Sequence, residues 1–234
     1  MGESRYFEYE KKIQEAYDEL KRSYQEVKDS YTEMIFRLAL VAEYRDEATG
    51  THLVRIADYS TEIAHGLGLP DKDTEYIKYA SPMHDIGKLI IPDDILKKPA
   101  GLTPEEREIM KKHAKLGADI FQDSRSPLLK AARDICLTHH ERYDGAGYPL
   151  GLKGDDIPLY GRIVALADVF DALTSVRPYK KAFGFDEAVD MIKEENGGHF
   201  DPKIVKAFIG RIDKIKEIWQ ASKDIDQFIS EKGV

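Results

Sequence analysis

The stretch Tyr160-Gly161-Arg162-Ile163-Val164-Ala165-Leu166-Ala167-Asp168-Val169-Phe170-Asp171-Ala172-Leu173-Thr174 decides the fold class. Its apolar residues Ile163, Val164, Leu166, Ala167, Val169 and Leu173 read as a helix, with Asp168 and Asp171 one turn apart on it. Working outward, residues 141–159 hold Gly145, Gly147, Pro149, Gly151, Gly154 and Pro158, which predicts a long ordered loop. Before that loop, Pro127 opens a helix reaching His140. Leu102-Thr103-Pro104-Glu105-Glu106 supplies an N-cap Thr, a proline at the first helical position and acids in the first turn, for a helix running to about Gln122. Asp73 can cap a helix running to about Ile86. Residues 51–67 repeat apolar side chains at Leu53, Ile56, Ala57, Ile63 and Ala64, then stop at Gly66 and Gly68. Downstream, helices are expected over about 186–195 and 202–231, the last carrying Ile215, Ile218, Trp219, Ile225, Phe228 and Ile229 as a packing face. No alternating strand pattern and no internal repeat stands out. The expected fold is all-α.

The first forty residues follow a different rule. Ile13, Tyr17, Leu20, Tyr24, Val27, Tyr31, Met34 and Leu38 alternate spacings of four and three, with charged residues between them and neither Gly nor Pro from residue 3 to residue 49. A period near 3.5 favours a left-handed coiled coil, and the narrow stripe favours a seam over a broad core-facing side. Tyrosines on the seam weaken such a zipper. The competing reading is a long amphipathic helix lying on its own domain. We expect a coiled-coil signalling helix over 1–39, a parallel homodimer through it, and a helical catalytic domain over 40–234. Such a helix could carry a signal from an upstream sensory or receiver domain.

Composition narrows the function. Of 234 residues, 42% are hydrophobic and 33% charged, which excludes wholesale disorder, and 17 Gly with 10 Pro exclude collagen-like classes. A net charge of −8 argues against coating a nucleic acid polymer or an anionic membrane. A phosphate-bearing substrate stays open if bound cations supply the positive field locally. The single cysteine, Cys136, sits between Ile135 and Leu137 and reads as a small buried apolar residue. No run approaches the roughly 20 apolar residues of a membrane span, and no signal peptide is visible, so a cytoplasmic location is expected.

Five of the seven histidines fall in suggestive places. His52 starts a helix, His84 adjoins Asp85, His113 lies mid-helix, and His139 and His140 are adjacent at a helix end. Neutral imidazole is the commonest metal ligand, and a carboxylate can bridge two cations. Any one of these histidines alone would more often be a satisfied core or surface residue; the pairs together, with Asp168 and Asp171, offer enough donors for two metals. A mixed imidazole and carboxylate set without Cys argues against a structural zinc knot and suits Fe or Mn, with Zn, Ni or Co possible. Two cations about 3.5–4 Å apart, bridged by an Asp and a hydroxide nucleophile, make a phosphoester hydrolase centre. His65 reads as a solvent or capping residue, and His199 as part of a structural turn.

The string His84-Asp85-Ile86-Gly87-Lys88 resembles the core of the HD phosphohydrolase superfamily, and His139-His140-Glu141-Arg142-Tyr143-Asp144-Gly145-Ala146-Gly147-Tyr148-Pro149 resembles the loop of its HD-GYP branch. Ile90-Ile91-Pro92-Asp93, Gly161-Arg162-Ile163, the run from Ala167 through Asp168 and Asp171 to Pro178 and Tyr179, and Gly198-His199-Phe200-Asp201-Pro202 match that branch too. The resemblance covers about residues 40–210. It implies an HD-type helical bundle that hydrolyses cyclic di-GMP to pGpG or GMP, some members preferring the mixed cyclic GMP-AMP dinucleotide. It also implies one metal on His52, His84, Asp85 and Asp168 and a second on Asp85, His113, His139 and His140, with Asp85 bridging. Lys88 would neutralise the phosphate or assist the leaving oxygen. Arg177 and Lys180 would hold phosphates or guanine, Gly147, Tyr148 and Pro149 would shape the pocket wall, and Asp144 would orient a ligand histidine. One departure concerns a third metal: members that bind it carry a Glu four residues before the first ligand histidine, where this chain has Ala48. Two metals are therefore expected, with Asp171 a spare carboxylate behind them. Two other functions stay open: a nucleotide sensor that does not cut, and an HD-type hydrolase of mononucleotides.

Overall fold

In a computed structural model the chain is described over residues 2–46, 51–176 and 182–232, and its side chains over 7–45, 51–176 and 182–222. Helix follows helix: α1 (Gly2–Asp46), α2 (Thr51–Gly66), α3 (Asp71–Ala80), α4 (Asp93–Leu96), α5 (Pro104–Ile120), α6 (Pro127–Thr138), α7 (Leu159–Thr174), α8 (Phe185–Glu194), α9 (Pro202–Gly210) and α10 (Ile212–Lys232). Among the described residues there is no β-strand, only one isolated bridge between Asn196 and Phe200. The fold is all-α. Two compact units divide the chain, Met1–Leu38 and Ala39–Val234.

In the first unit, all eight seam residues from Ile13 to Leu38 are exposed, by 41% to 69%. In the second, α2 is the central helix and packs on α3, α7, α9 and α10. Its predicted apolar stripe is the buried one: Leu53, Ile56, Ala57, Ile63 and Ala64 are all core. Helix α7 is apolar on most of its circumference and brings Ile163, Val164, Leu166 and Phe170 into the same core. Phe170 meets Tyr59, Phe185 and Phe208 edge-on, at ring-centroid distances of 5.3, 5.7 and 5.0 Å. Cys136 is buried on α6, its thiol donating to the Met83 carbonyl at 3.0 Å, and burial pushes its pKa up.

Thr103 starts α5 as the sequence predicts. Its Oγ1 accepts from the Glu106 amide at 3.3 Å, and the Glu106 carboxylate accepts from the Thr103 amide at 2.8 Å, a reciprocal cap. Two helix boundaries differ from the sequence reading. The helix expected to run from Asp73 to Ile86 begins at Asp71, behind Pro70, with no side-chain cap, and ends at Ala80. Asp73 instead accepts from the Tyr160 hydroxyl at 3.0 Å. Pro82 has no N–H to continue the ladder, so the chain tightens into a 3-10 turn at Ser81–Met83 and a second at Ile86–Ile90. Asp85 stands at the joint (φ −101°, ψ 9°). The helix expected over 202–231 is two helices, interrupted after Gly210 at Arg211, whose Nε donates to Glu62 of α2 at 2.9 Å. Of its predicted packing face, Ile215 is buried and Trp219 packs on Phe185, while Ile225, Phe228 and Ile229 lie outside the described side chains.

Candidate metal centre

The joint at Asp85 is what gathers the site. The Ile86–Ile90 turn lies flush on α5: a Cβ on Gly87 would sit 2.0 Å from the His113 carbonyl oxygen, so only glycine permits the approach. With that turn seated, Asp85 meets His113 of α5 and the His139–His140 pair just past α6. Potential ligand atoms of Asp85, His113, His139 and His140 all lie within 4.8 Å of one another, and those of His52, His84 and Asp168 form a second such group. Asp85 faces both groups. Its Oδ1 is 3.1 Å from His113 Nε2 and 3.5 Å from His139 Nε2, and its Oδ2 is 3.4 Å from His84 Nε2. Asp168 Oδ1 lies 3.9 Å from His52 Nε2 and 4.0 Å from His84 Nε2. His140 Nε2 is 3.1 Å from His113 Nε2.

Each of four rings is held from behind through Nδ1. Backbone carbonyls only accept, so the ring nitrogen facing one carries the proton and leaves Nε2 with its lone pair. His84 Nδ1 donates to the Ser81 carbonyl at 3.0 Å, His113 Nδ1 to that of Met110 at 2.7 Å, and His139 Nδ1 to those of Ile135 and Cys136 at 3.1 Å. In all three cases the acceptor sits three or four residues earlier, on the preceding helical turn. His52, near the start of α2, is held by a side chain: its Nδ1 donates to Asp171 Oδ2 at 2.7 Å. Asp171 is fixed in turn by Arg55, whose Nε and Nη2 reach its two oxygens.

The donor set fits divalent cations. His84 Nε2, His139 Nε2 and Asp85 Oδ1 are buried without a hydrogen-bond partner, a costly arrangement unless another group satisfies them. Burial opposes ionisation of Asp85, but the Lys88 ammonium, His84, His113 and His139 outweigh it and hold the carboxyl well below its usual range. Burial also opposes charge on His84, and the carboxylates of Asp85, Asp168 and Glu43 overcome it, raising its pKa to about 9. His139 and His140 are pushed down, chiefly by burial. Asp85 is thus ionised and His139 and His140 are held neutral, the forms in which they can ligate, while a cation at His84 must displace the proton that the neighbouring carboxylates favour there.

The other expected residues have distinct places. Lys88 Nζ lies 2.8 Å from Asp85 Oδ2. Tyr148 stacks on His140 with ring centroids 4.7 Å apart, and the Tyr148–Pro149 peptide bond is cis. Gly147 is pressed on the 140–142 backbone, where a Cβ would lie 2.3 Å from the Arg142 nitrogen. Pro149 borders a groove of about 670 Å³ with Lys115, Phe121, Lys130 and Arg133, and none of the clustered His and Asp lines that groove. Asp144 is not hydrogen-bonded to any of the clustered histidines; it pairs with Arg142 at 2.9 Å and accepts from the Ala146 amide at 2.9 Å. His65 is exposed, and His199 stacks on Phe200 within its turn. Arg177, Lys180 and Ala48 lie outside the described residues.

Three residues escaped the sequence reading. Glu141 is buried and accepts from the amides of Leu150 and Leu152, at 2.7 and 3.1 Å, holding the loop in shape. Arg55 lies three residues after His52, a spacing that could have flagged it. Glu43 is buried within electrostatic reach of His52, Lys88, His84 and Asp85, its pKa raised by burial; no sequence signal sets it apart from its charged neighbours on α1.

An HD domain model matches residues 37–204, most of the chain and all of the gathered donors. The chain belongs to the HD domain family. Among characterised HD relatives, a cyclic di-GMP phosphodiesterase of Thermotoga maritima is 45% identical over 194 residues, covering 83% of this chain and 53% of that protein. A 3'3'-cGAMP-specific phosphodiesterase of Vibrio cholerae is 43% identical over 182 residues, covering 78% of this chain and 35% of that protein. This chain therefore spans about half or less of the length of these relatives. A crystal structure of a cyclic GMP-AMP specific phosphodiesterase of V. cholerae superposes with a TM-score of 0.61 at 20% identity, covering 85% of this chain and 53% of that one, and shares the fold. No helix among the described residues is long and apolar enough to cross a membrane.

Proposed function

We propose that the chain is a metal-dependent phosphodiesterase that hydrolyses cyclic di-GMP to pGpG or GMP, with His52, His84, Asp85 and Asp168 holding one divalent cation and Asp85, His113, His139 and His140 holding the other. The observation that carries this reading is the gathering of seven side chains into two groups, with Asp85 facing both and with His84 Nε2, His139 Nε2 and Asp85 Oδ1 buried and unpartnered. Fe or Mn suits the mixed imidazole and carboxylate donors. When bound, such cations supply a water nucleophile at neutral pH and polarise a phosphoryl oxygen. The chain's own residues do the rest. Asp85 spans the two groups with one oxygen toward each. Lys88, held against Asp85, presents an ammonium where charge develops on the phosphoryl or leaving oxygen. Tyr148 closes one wall against His140. Arg177 and Lys180 follow α7, which carries Asp168, and would take the outer phosphate or a guanine. Relatives of both substrate names lie at nearly equal identity, so the mixed cyclic GMP-AMP dinucleotide is the second substrate to assay.

Residues 1–39 are proposed to form a parallel coiled-coil dimer that carries a signal to the domain over 40–234; the exposed 4-3 seam supports that reading. The activity test is direct. Protein loaded with Mn or Fe is incubated with cyclic di-GMP or cyclic GMP-AMP, and products are separated chromatographically. Linear products should form and should vanish with Asp85→Ala, whose metal content should fall at both sites. Binding of either dinucleotide without cleavage would favour a sensor module and contradict the reading.

A further inference from the structure

Arg45, one residue before the end of α1, reaches across to the turn that follows Asp85. Its Nη1 donates to the carbonyls of Lys88, at 3.2 Å, and Leu89. Its Nη2 donates to the Ile91 carbonyl at 3.1 Å and to Asp93 Oδ1. One guanidinium thus gathers three carbonyls and a carboxylate from a six-residue segment. The segment has little else to fix its outer side. The Ile86–Ile90 turn is a short 3-10 piece closed by the Ile91 amide on the Lys88 carbonyl at 3.1 Å, and at Ile91 the chain is already extended (φ −73°, ψ 134°). Pro92 follows without an N–H. On the inner side Gly87 is pinned against α5, and Ile91 packs with Ile95 and Leu96 under Ile109 and Met110. Lys88 and Leu89 lie between those anchors, half-buried, and Ile90 is exposed.

We infer that Arg45 is a positioning residue for Lys88: its fork fixes the Lys88–Ile91 backbone and thereby holds the Lys88 ammonium at Asp85. The forked, always-charged guanidinium is suited to this, since one planar group can address four acceptors; a lysine in its place could satisfy only part of the set. The Arg45 hydrogen bonds go to the 88–93 segment and not to the clustered histidines, so its loss should leave the metals in place. The inference rests on the hydrolytic reading for its effect on rate, and on geometry alone for its effect on the backbone.

The test uses the metal-loaded full chain. Arg45→Ala should lower kcat by on the order of ten- to a hundredfold, the scale of a misplaced catalytic group, with metal content per chain unchanged. Arg45→Lys should recover part of the loss. In a Lys88→Ala background, Arg45→Ala should cost little more, because residues acting as one unit do not add. Hydrogen exchange at the Ile91 amide, which donates to the Lys88 carbonyl at 3.1 Å, should quicken in Arg45→Ala while the α5 amides keep their rates. Rate losses that multiply in the double variant, or metal lost with Arg45→Ala, would overturn the inference. If wild type cleaves no cyclic dinucleotide, the functional reading fails and exchange alone decides: quickened exchange upholds the positioning role, and unchanged exchange overturns it. Should Arg45→Ala fail to fold, Arg45→Lys and Asp93→Asn carry the same exchange measurement.

Discussion

His52 is held differently from three of the other four clustered histidines. His84, His113 and His139 each find a carbonyl on the preceding turn. His52 stands at the start of α2 and takes Asp171 instead, and Asp171 is locked by both ends of the Arg55 fork. Asp171 accordingly has its pKa pulled to about 2, the hydrogen bonds and charges of His52 and Arg55 outweighing burial. Outer groups that orient a metal-bound imidazole typically govern affinity by about 10–100-fold. Asp171→Asn should therefore weaken the cation proposed at His52, His84 and Asp168 by that order while sparing the other, as a metal titration followed by competition with a chelator would read. Equal weakening at both positions would contradict this division of roles. The donors themselves were legible in the sequence because His-Asp and His-His pairs are rare in combination. Arg55 and Glu43 were not legible, because a buried charge looks like a surface charge until its partners are brought to it from more than a hundred residues away, as Asp171 is to Arg55.

At the scale of elements, helix starts were readable and helix stops less so. Thr103 and Glu106 form the cap that their spacing implies, a local arrangement that needs nothing from the rest of the chain. Thr103→Ala should cost about 1 kcal/mol of unfolding free energy and leave hydrolysis intact, since the cap lies about three turns before His113; urea unfolding beside an activity assay checks both. The ends of α3 and α9 depend on tertiary demands. Apolar periodicity runs on through Met83 and Ile86, yet Pro82 and the close seat of Gly87 on α5 force two tight turns in place of a helix. That break is what aims His84 and Asp85 inward together. Gly87→Ala should consequently disturb the centre and the fold at once, because its methyl group has backbone on every near side.

For the whole molecule, the all-α class was readable from period alone, as the continuous apolar run of α7 and the stripe of α2 show. How the helices converge was not, since sequence spacing says nothing of which helix ends meet; the resemblance to HD proteins carried that information, and the HD match over 37–204 agrees with it. The seam on α1 makes a separate claim about assembly. Deleting residues 1–36 should shift the light-scattering mass from dimer to monomer, and a truncated protein that stays fully dimeric would remove the coiled-coil reading.

The central claim is a centre for two cations that share Asp85, with Asp171 already committed to Arg55 and His52. Anomalous diffraction from crystals of the Mn-loaded protein tests it most directly. Two peaks of full occupancy should appear, one beside His52, His84 and Asp168 and one beside His113, His139 and His140, with Asp85 between them. A single peak, or a third fully occupied peak at Asp171, would contradict the account.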